Sequence, residues 1–160
     1  MELVIILAII VVALALFFDF TNGFHDSANQ VATVIASRAL PPAAALVIAA
    51  MADFVGAYFF GTAVAETLGK GIVDPRALNA GASGVLVIIG AICGAILWNI
   101  ITWYFGMPSS SSHALIGGLV GSFVVGWGFA PIHWLKVFEI ILIMIVSPLV
   151  GFSVSIFLPD

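Results

Sequence analysis

FFDFTNGFHDSANQVATVIASR, residues 17–38, decides how this chain folds. It follows an apolar run that begins at Leu3 and continues it as helix-compatible sequence. Yet it carries Asp19, Asn22, His25, Asp26 and Asn29, with Gly23 among them. A carboxylate at the centre of a spanning helix costs roughly 3 kcal/mol on insertion scales. Ionisable groups kept at that cost mark a functional site by default.

The rest of the composition places this stretch in a membrane. The chain has 160 residues, of which 63% are hydrophobic and 8% charged, and its mean hydropathy is +1.29. A soluble domain is about a quarter charged, so the expected class is an all-α polytopic membrane protein in contact with the lipid bilayer. The net charge of −4 arises from few groups, and no basic run points to nucleic acid. The lone Cys93 lies in an apolar run and reads as a packing residue. Glu2 replaces the basic start of a signal peptide, and no small-residue cleavage site precedes the polar cluster. The N-terminus is therefore read as the first membrane helix.

Expected spans are about 3–38, 43–63 and 137–158, with a hairpin at about 85–130. Residues 3–18 alone give about 24 Å of helix, short of the roughly 30 Å hydrocarbon core, so the polar stretch lies partly within the membrane. Gly23 is the expected place for a break in the first helix. Asp26, Asn29 and Thr33 follow at i, i+3, i+7 and share one face. Arg38 and Pro41-Pro42 end the element. Asp53 falls near the middle of the second span, where it serves either a site or an interhelical hydrogen bond; Asn99 carries the same two readings. Glu66, Lys70, Asp74 and Arg76 read as charges of an aqueous connection over 64–82. Ser147-Pro148 permits a kink in the last span.

The second anomaly is GMPSSSSH at 106–113, leading into a glycine-rich apolar run. That run is short for a full crossing, which favours a re-entrant hairpin with the serines at a tip inside the membrane; an ordinary surface turn between two full spans is the alternative. Non-helical backbone at depth is tolerated where it lines a site. Pro108 halts any preceding helix and serine is a preferred N-cap. Free N–H groups, the positive end of the helix dipole and several hydroxyls together form an anion site with no fixed counter-charge. The Asp26/Asn29 face offers hard oxygen ligands for Na⁺, joined by carbonyls freed near Gly23, with protonation of Asp19 or Asp26 as the rival use. His25 is either a ligand or a hydrogen-bond donor to its neighbour. The spacing of Gly117, Gly118 and Gly121 reads as helix packing. No zinc-ligand spacing occurs, no metal beyond a coupling cation is implied, and no cofactor is expected. Ser112 and His113 are sequence neighbours, poor geometry for a dyad, and no Gly-x-Ser-x-Gly elbow exists, so the chain does not read as an enzyme. An anion site beside a cation site near the midplane suits an ion-coupled transporter.

These residues resemble the inorganic phosphate transporter family, the sodium- or proton-coupled phosphate permeases. Its first signature, Gly-Ala-Asn-Asp-Val-Ala-Asn, is matched at Gly23, Asp26, Ala28 and Asn29, with the His25 form similar to bacterial members. Its second, Pro-x-Ser-x-Ser/Thr-His before a Gly-Gly stretch, is matched by Pro108 through Gly118. The resemblance implies symport of inorganic phosphate with a cation, Na⁺ or H⁺, across the cell (plasma or inner) membrane. It implies Ser110, Ser111, Ser112, Asp26 and Asn29 for phosphate, and Asp26, Asn29, Asn22 and Thr33 for the cation. His25 departs from the family's Asn. Family members also carry an inverted second copy of both motifs, which is not repeated here. The chain is thus expected to be one repeat of an inverted-repeat transporter, completed by a C-terminal repeat or by a second copy as an antiparallel homodimer. A permease for a related oxyanion such as sulfate, or a non-transporting membrane subunit or receptor, is the alternative.

Overall fold

The computed structural model describes residues 2–60, 71–73 and 81–157. Among the described residues five helices follow one another: α1 Glu2–Ala36, α2 Pro42–Phe60, α3 Ala82–Tyr104, α4 Ser111–Trp127 and α5 Trp134–Phe157. Among the described residues the only extended pairing is an isolated bridge between Val73 and Ile132. The molecule is all-helical, as its uniform hydropathy requires: in lipid a helix satisfies every backbone polar group within itself. Among the described residues four helices, all but α4, are long and apolar enough to cross a membrane.

α1 corrects the expectation of a break at Gly23. It is continuous over 35 residues, about 52 Å of helix. A glycine inside a helix costs only about 1 kcal/mol, whereas breaking the helix in lipid orphans several backbone groups at several kcal/mol each. The flanking hydroxyls reinforce the intact form. Thr21 Oγ1 donates to the Phe18 carbonyl at 2.8 Å and Ser27 Oγ to the Phe24 carbonyl at 3.2 Å. Carbonyl ligands from an unwound turn are therefore not offered in this conformation.

α1 ends in a Schellman turn. Ala39 N–H donates to the Val34 carbonyl and Arg38 N–H to that of Ile35, with Arg38 in the left-handed region at φ 59°. α3 ends the same way around Gly106, whose φ of 64° a side chain would resist, and Pro108 prevents resumption. The chain then reverses, and α4 packs antiparallel on α3. This seam is cut to glycine size: a Cβ on Gly118 would stand 2.3 Å from the Ala91 carbonyl oxygen, and Gly94 meets the Gly118 backbone. Gly117 and Gly121 face open space, so only one of the three glycines singled out in the sequence is a packing residue.

α1 packs on both α2 and α3. Phe24 meets Trp103 edge to face at 5.5 Å, and Ala28 and Asn29 share a pocket with Met107 and Pro108. Both pairings advance in the same direction, so α1 and α3 run parallel. The tightest apolar cluster joins Ile72, Val73, Phe123, Ile132 and Val137. The connection read as wholly aqueous thus has a buried end; Glu66, Lys70, Asp74 and Arg76 lie outside the described residues. Cys93 is exposed rather than packed, and α5 runs through Pro148 without interruption.

Candidate functional site

The two polar motifs meet. Ser111 Oγ donates to Asp26 Oδ2 at 3.0 Å, a contact between residues 85 apart in sequence. The other carboxylate oxygen faces His25 Nδ1 at 3.4 Å. His25 is 8% exposed, while the Asp26 side chain keeps 28% of its surface open. Asp26 thus links a buried imidazole on its own helix to the first residue of α4, and it is left half-open to the outside.

Folding delivers these groups by separate routes. Continuity of α1 fixes the phase of Asp26 relative to the buried Thr21, His25 and Val31. The Gly106 turn and Pro108 set the start of α4, so that Ser110 is its extended N-cap and Ser111 its first residue. The Ser110 hydroxyl makes no capping hydrogen bond. The first-turn N–H groups of α4 therefore have no side-chain cap, and the positive dipole end faces the tip.

The four serines do not converge. Ser109 Oγ accepts a hydrogen bond from Trp98 Nε1 at 3.1 Å, tying the tip back to α3. Ser111 faces Asp26. Ser112 lines a different pocket with His113, Met144, Ser147 and Pro148. On α1, Asn29 is exposed and borders a pocket of about 380 Å³ with His25, Trp103 and Pro108. Thr33 is exposed one turn beyond Asn29. The Asn22 Oδ1 is buried with no partner among the described residues. Asp53 accepts from Gln30 Nε2 at 3.4 Å, an interhelical contact rather than part of the Ser111 cluster. Asn99 is buried, and among the described residues its amide makes neither reading's contact; the Trp98–Ser109 bond had no counterpart in the sequence reading. Trp98 carries no polar pattern there, although a lone donor ring eleven residues before a serine was a usable signal.

Fold and site together define a multi-pass helical membrane protein that carries a polar site where α1 meets the start of α4. The chain belongs to the phosphate transporter family, whose model matches residues 22–159. A probable low-affinity inorganic phosphate transporter of Bacillus subtilis is 46% identical over 158 residues, covering 99% of this chain and 46% of the relative. One from Streptomyces halstedii is 50% identical over 157 residues, covering 97% of this chain and 70% of the relative. A solved structure described as the sodium-dependent phosphate transporter superposes with a TM-score of 0.76 at 32% identity, covering 94% of this chain and 36% of that one. The chain thus spans less than half the length of its Bacillus subtilis relative. It is a multi-pass protein of the cell membrane.

Proposed function

We propose that this chain is one repeat of a phosphate:cation symporter. In this reading Asp26, Asn29 and Thr33 serve the cation, and Ser110, Ser111 and Ser112, with Asp26 and Asn29, serve phosphate; Asn22, whose Oδ1 is buried away from the open side of Asp26, is left out of the cation set. The single observation that carries it is the Ser111–Asp26 hydrogen bond, which joins an anion-binding helix start to a carboxylate at one point. Phosphate needs hydroxyl and N–H donors; a bare carboxylate beside it needs a cation to offset repulsion. The family and the names of its relatives support phosphate as the cargo, and the sodium-dependent neighbour supports Na⁺ over H⁺ as the coupling ion. Sulfate is the nearest alternative cargo, since the donor set suits any tetrahedral oxyanion.

The hairpin reading of 85–130 has a geometric support. Asp26, where the tip docks, stands ten residues before the end of α1, about 15 Å along its axis. α1 outruns the roughly 30 Å hydrocarbon core and α3 is long enough to cross it, so the support lies in α4, whose 17 residues, about 26 Å, fall short of a crossing and suit a re-entrant arm. The second repeat of the whole transporter, whether a C-terminal half or an inverted second copy, would face the open side of Asp26, Asn29 and Ser112. Alternating access then follows from rocking the hairpin against α1 and α2. The test is radiolabelled phosphate uptake into proteoliposomes, with Na⁺ and proton gradients imposed separately. Uptake driven by one of them is expected; sulfate uptake in its place, or phosphate binding without uptake, would sink the assignment.

A further inference from the structure

Asn99 is unusual even among these polar residues. It is 2% exposed in the body of α3, and both its Oδ1 and its Nδ2 lack partners among the described residues. Asn22 Oδ1 on α1 is in the same condition. α1 and α3 run parallel, and Phe24 meets Trp103, so one turn earlier Asn99 comes level with the Phe20–Asn22 turn. Two threonines at this seam cannot help as donors. Thr21 is 2% exposed and donates to the Phe18 carbonyl; Thr102, also 2% exposed, donates to the carbonyls of Trp98 and Asn99. What remains is two amide oxygens needing donors and one amide nitrogen needing an acceptor.

The chemistry of the missing partner follows. A bare cation would satisfy the oxygens and leave the nitrogen orphaned; an oxyanion would do the reverse. A water molecule both donates and accepts, and buried waters commonly make about three hydrogen bonds to such groups. We infer that Asn22 and Asn99 form a buried hydration site that holds water between α1 and α3, one turn from His25 and Asp26. The position gives it a role. α1 carries Asp26, and α3 leads through the tip to Ser111 at the start of α4, which packs on α3, so this seam is the surface across which the two halves of the site must shift. A wet polar seam exchanges hydrogen bonds as it slides, whereas an interlocked apolar one has discrete, resistant packing. This role rests on the transport reading above; the hydration site itself does not.

The test is Asn99→Leu, which keeps the branched shape at a somewhat larger volume and removes the polar atoms, made in the protein as the cell produces it. The expected result is a fall in the maximal phosphate uptake rate of about tenfold or more, with the half-saturating phosphate concentration within about twofold of wild type. Asn99→Ser, which leaves room for water and a polar group, should recover most of the rate. An experimental structure should hold ordered water density at hydrogen-bond distance from Asn99, lost in the leucine variant. A leucine variant that melts several degrees higher with unchanged uptake would mean that the amide was dry, and would overturn the inference. So would a wild-type melting temperature that depends on Na⁺ against choline while that of Asn99→Leu does not, since the ligand would then be a cation. Absence of phosphate uptake by the wild type would overturn the transport reading instead, and the water density would then decide the hydration site alone.

Discussion

Replacing Asp26 with asparagine removes a charge and almost no volume, so it separates electrostatics from shape. The carboxylate has two neighbours, Ser111 Oγ at 3.0 Å and His25 Nδ1 at 3.4 Å. An amide can serve both, accepting from Ser111 through Oδ1 and donating to an imidazole nitrogen that has changed tautomer. The fold should therefore survive, with a loss of no more than about 1–2 kcal/mol. On the proposed assignment, the coupling cation would lose far more. A unit charge about 4 Å from a carboxylate gains about 4 kcal/mol at an effective dielectric of about 20, or close to three orders of magnitude in affinity. Asp26→Asn is thus expected to reduce cation-driven phosphate uptake to background in proteoliposomes, while expression level and melting temperature stay near wild type. Normal uptake with an unchanged cation half-saturation would refute the assignment of Asp26 to the cation.

Two further outcomes concern the tip and the seam beneath it. Gly118→Ala should lower thermal stability by about 1–3 kcal/mol, the range for overpacking, because its Cβ would stand 2.3 Å from the Ala91 carbonyl oxygen. Gly121→Ala, which meets nothing within 4 Å, should be tolerated, and equal melting temperatures for the two variants would contradict the seam described here. Trp98→Phe removes the donor to Ser109 and should raise the phosphate half-saturation roughly fivefold, on the order of 1 kcal/mol. Ser109→Ala should match it, and the double variant should add nothing; additive effects would show that the two residues act independently.

Much of this architecture was legible because a bilayer leaves the chain few choices. The apolar segments that open at Leu3, Val85 and Val137 had to be helices, and each falls in one. The polar motifs were legible for the same reason, since Asp26 and Ser111 are costly residues in such runs. What could not be read was phase and partnership. The intact α1 reflects a balance between a weak glycine and many backbone bonds, and Gly23 alone does not reveal which side wins. Four consecutive serines point in different directions around a helix start, so Ser111 reaches Asp26 while Ser109 and Ser112 serve other neighbours. Ile72 and Val73 looked solvated because charges surround them in sequence; their burial depends on Phe123 and Ile132, which no local pattern announces.

If phosphate and a cation bind as proposed, the Ser111–Asp26 bond would also give the two ions a way to sense each other. In the free protein the hydroxyl that would meet phosphate is already held by the carboxylate that would meet the cation. A cation on Asp26 competes for Oδ2 and weakens that hold, which frees the hydroxyl to turn toward an anion. Each ion should then raise the affinity of the other by one common factor, as linkage demands. Part of that factor is the hydrogen bond itself. A bond to a charged acceptor contributes about 1.5–3 kcal/mol, and a half-open carboxylate belongs at the lower end, close to tenfold. Ser111→Ala removes the bond from the free protein and the donor from the loaded one. Its effect on phosphate affinity without cation should consequently be modest, about threefold to tenfold. Its effect on coupling should be larger in kind: added cation should enhance phosphate binding by about tenfold less than in wild type. Phosphate titrations with and without the coupling cation, on both proteins, measure this directly. An enhancement equal to that of wild type would mean that the ions communicate through charge alone, and that the hydroxyl is a bystander to coupling.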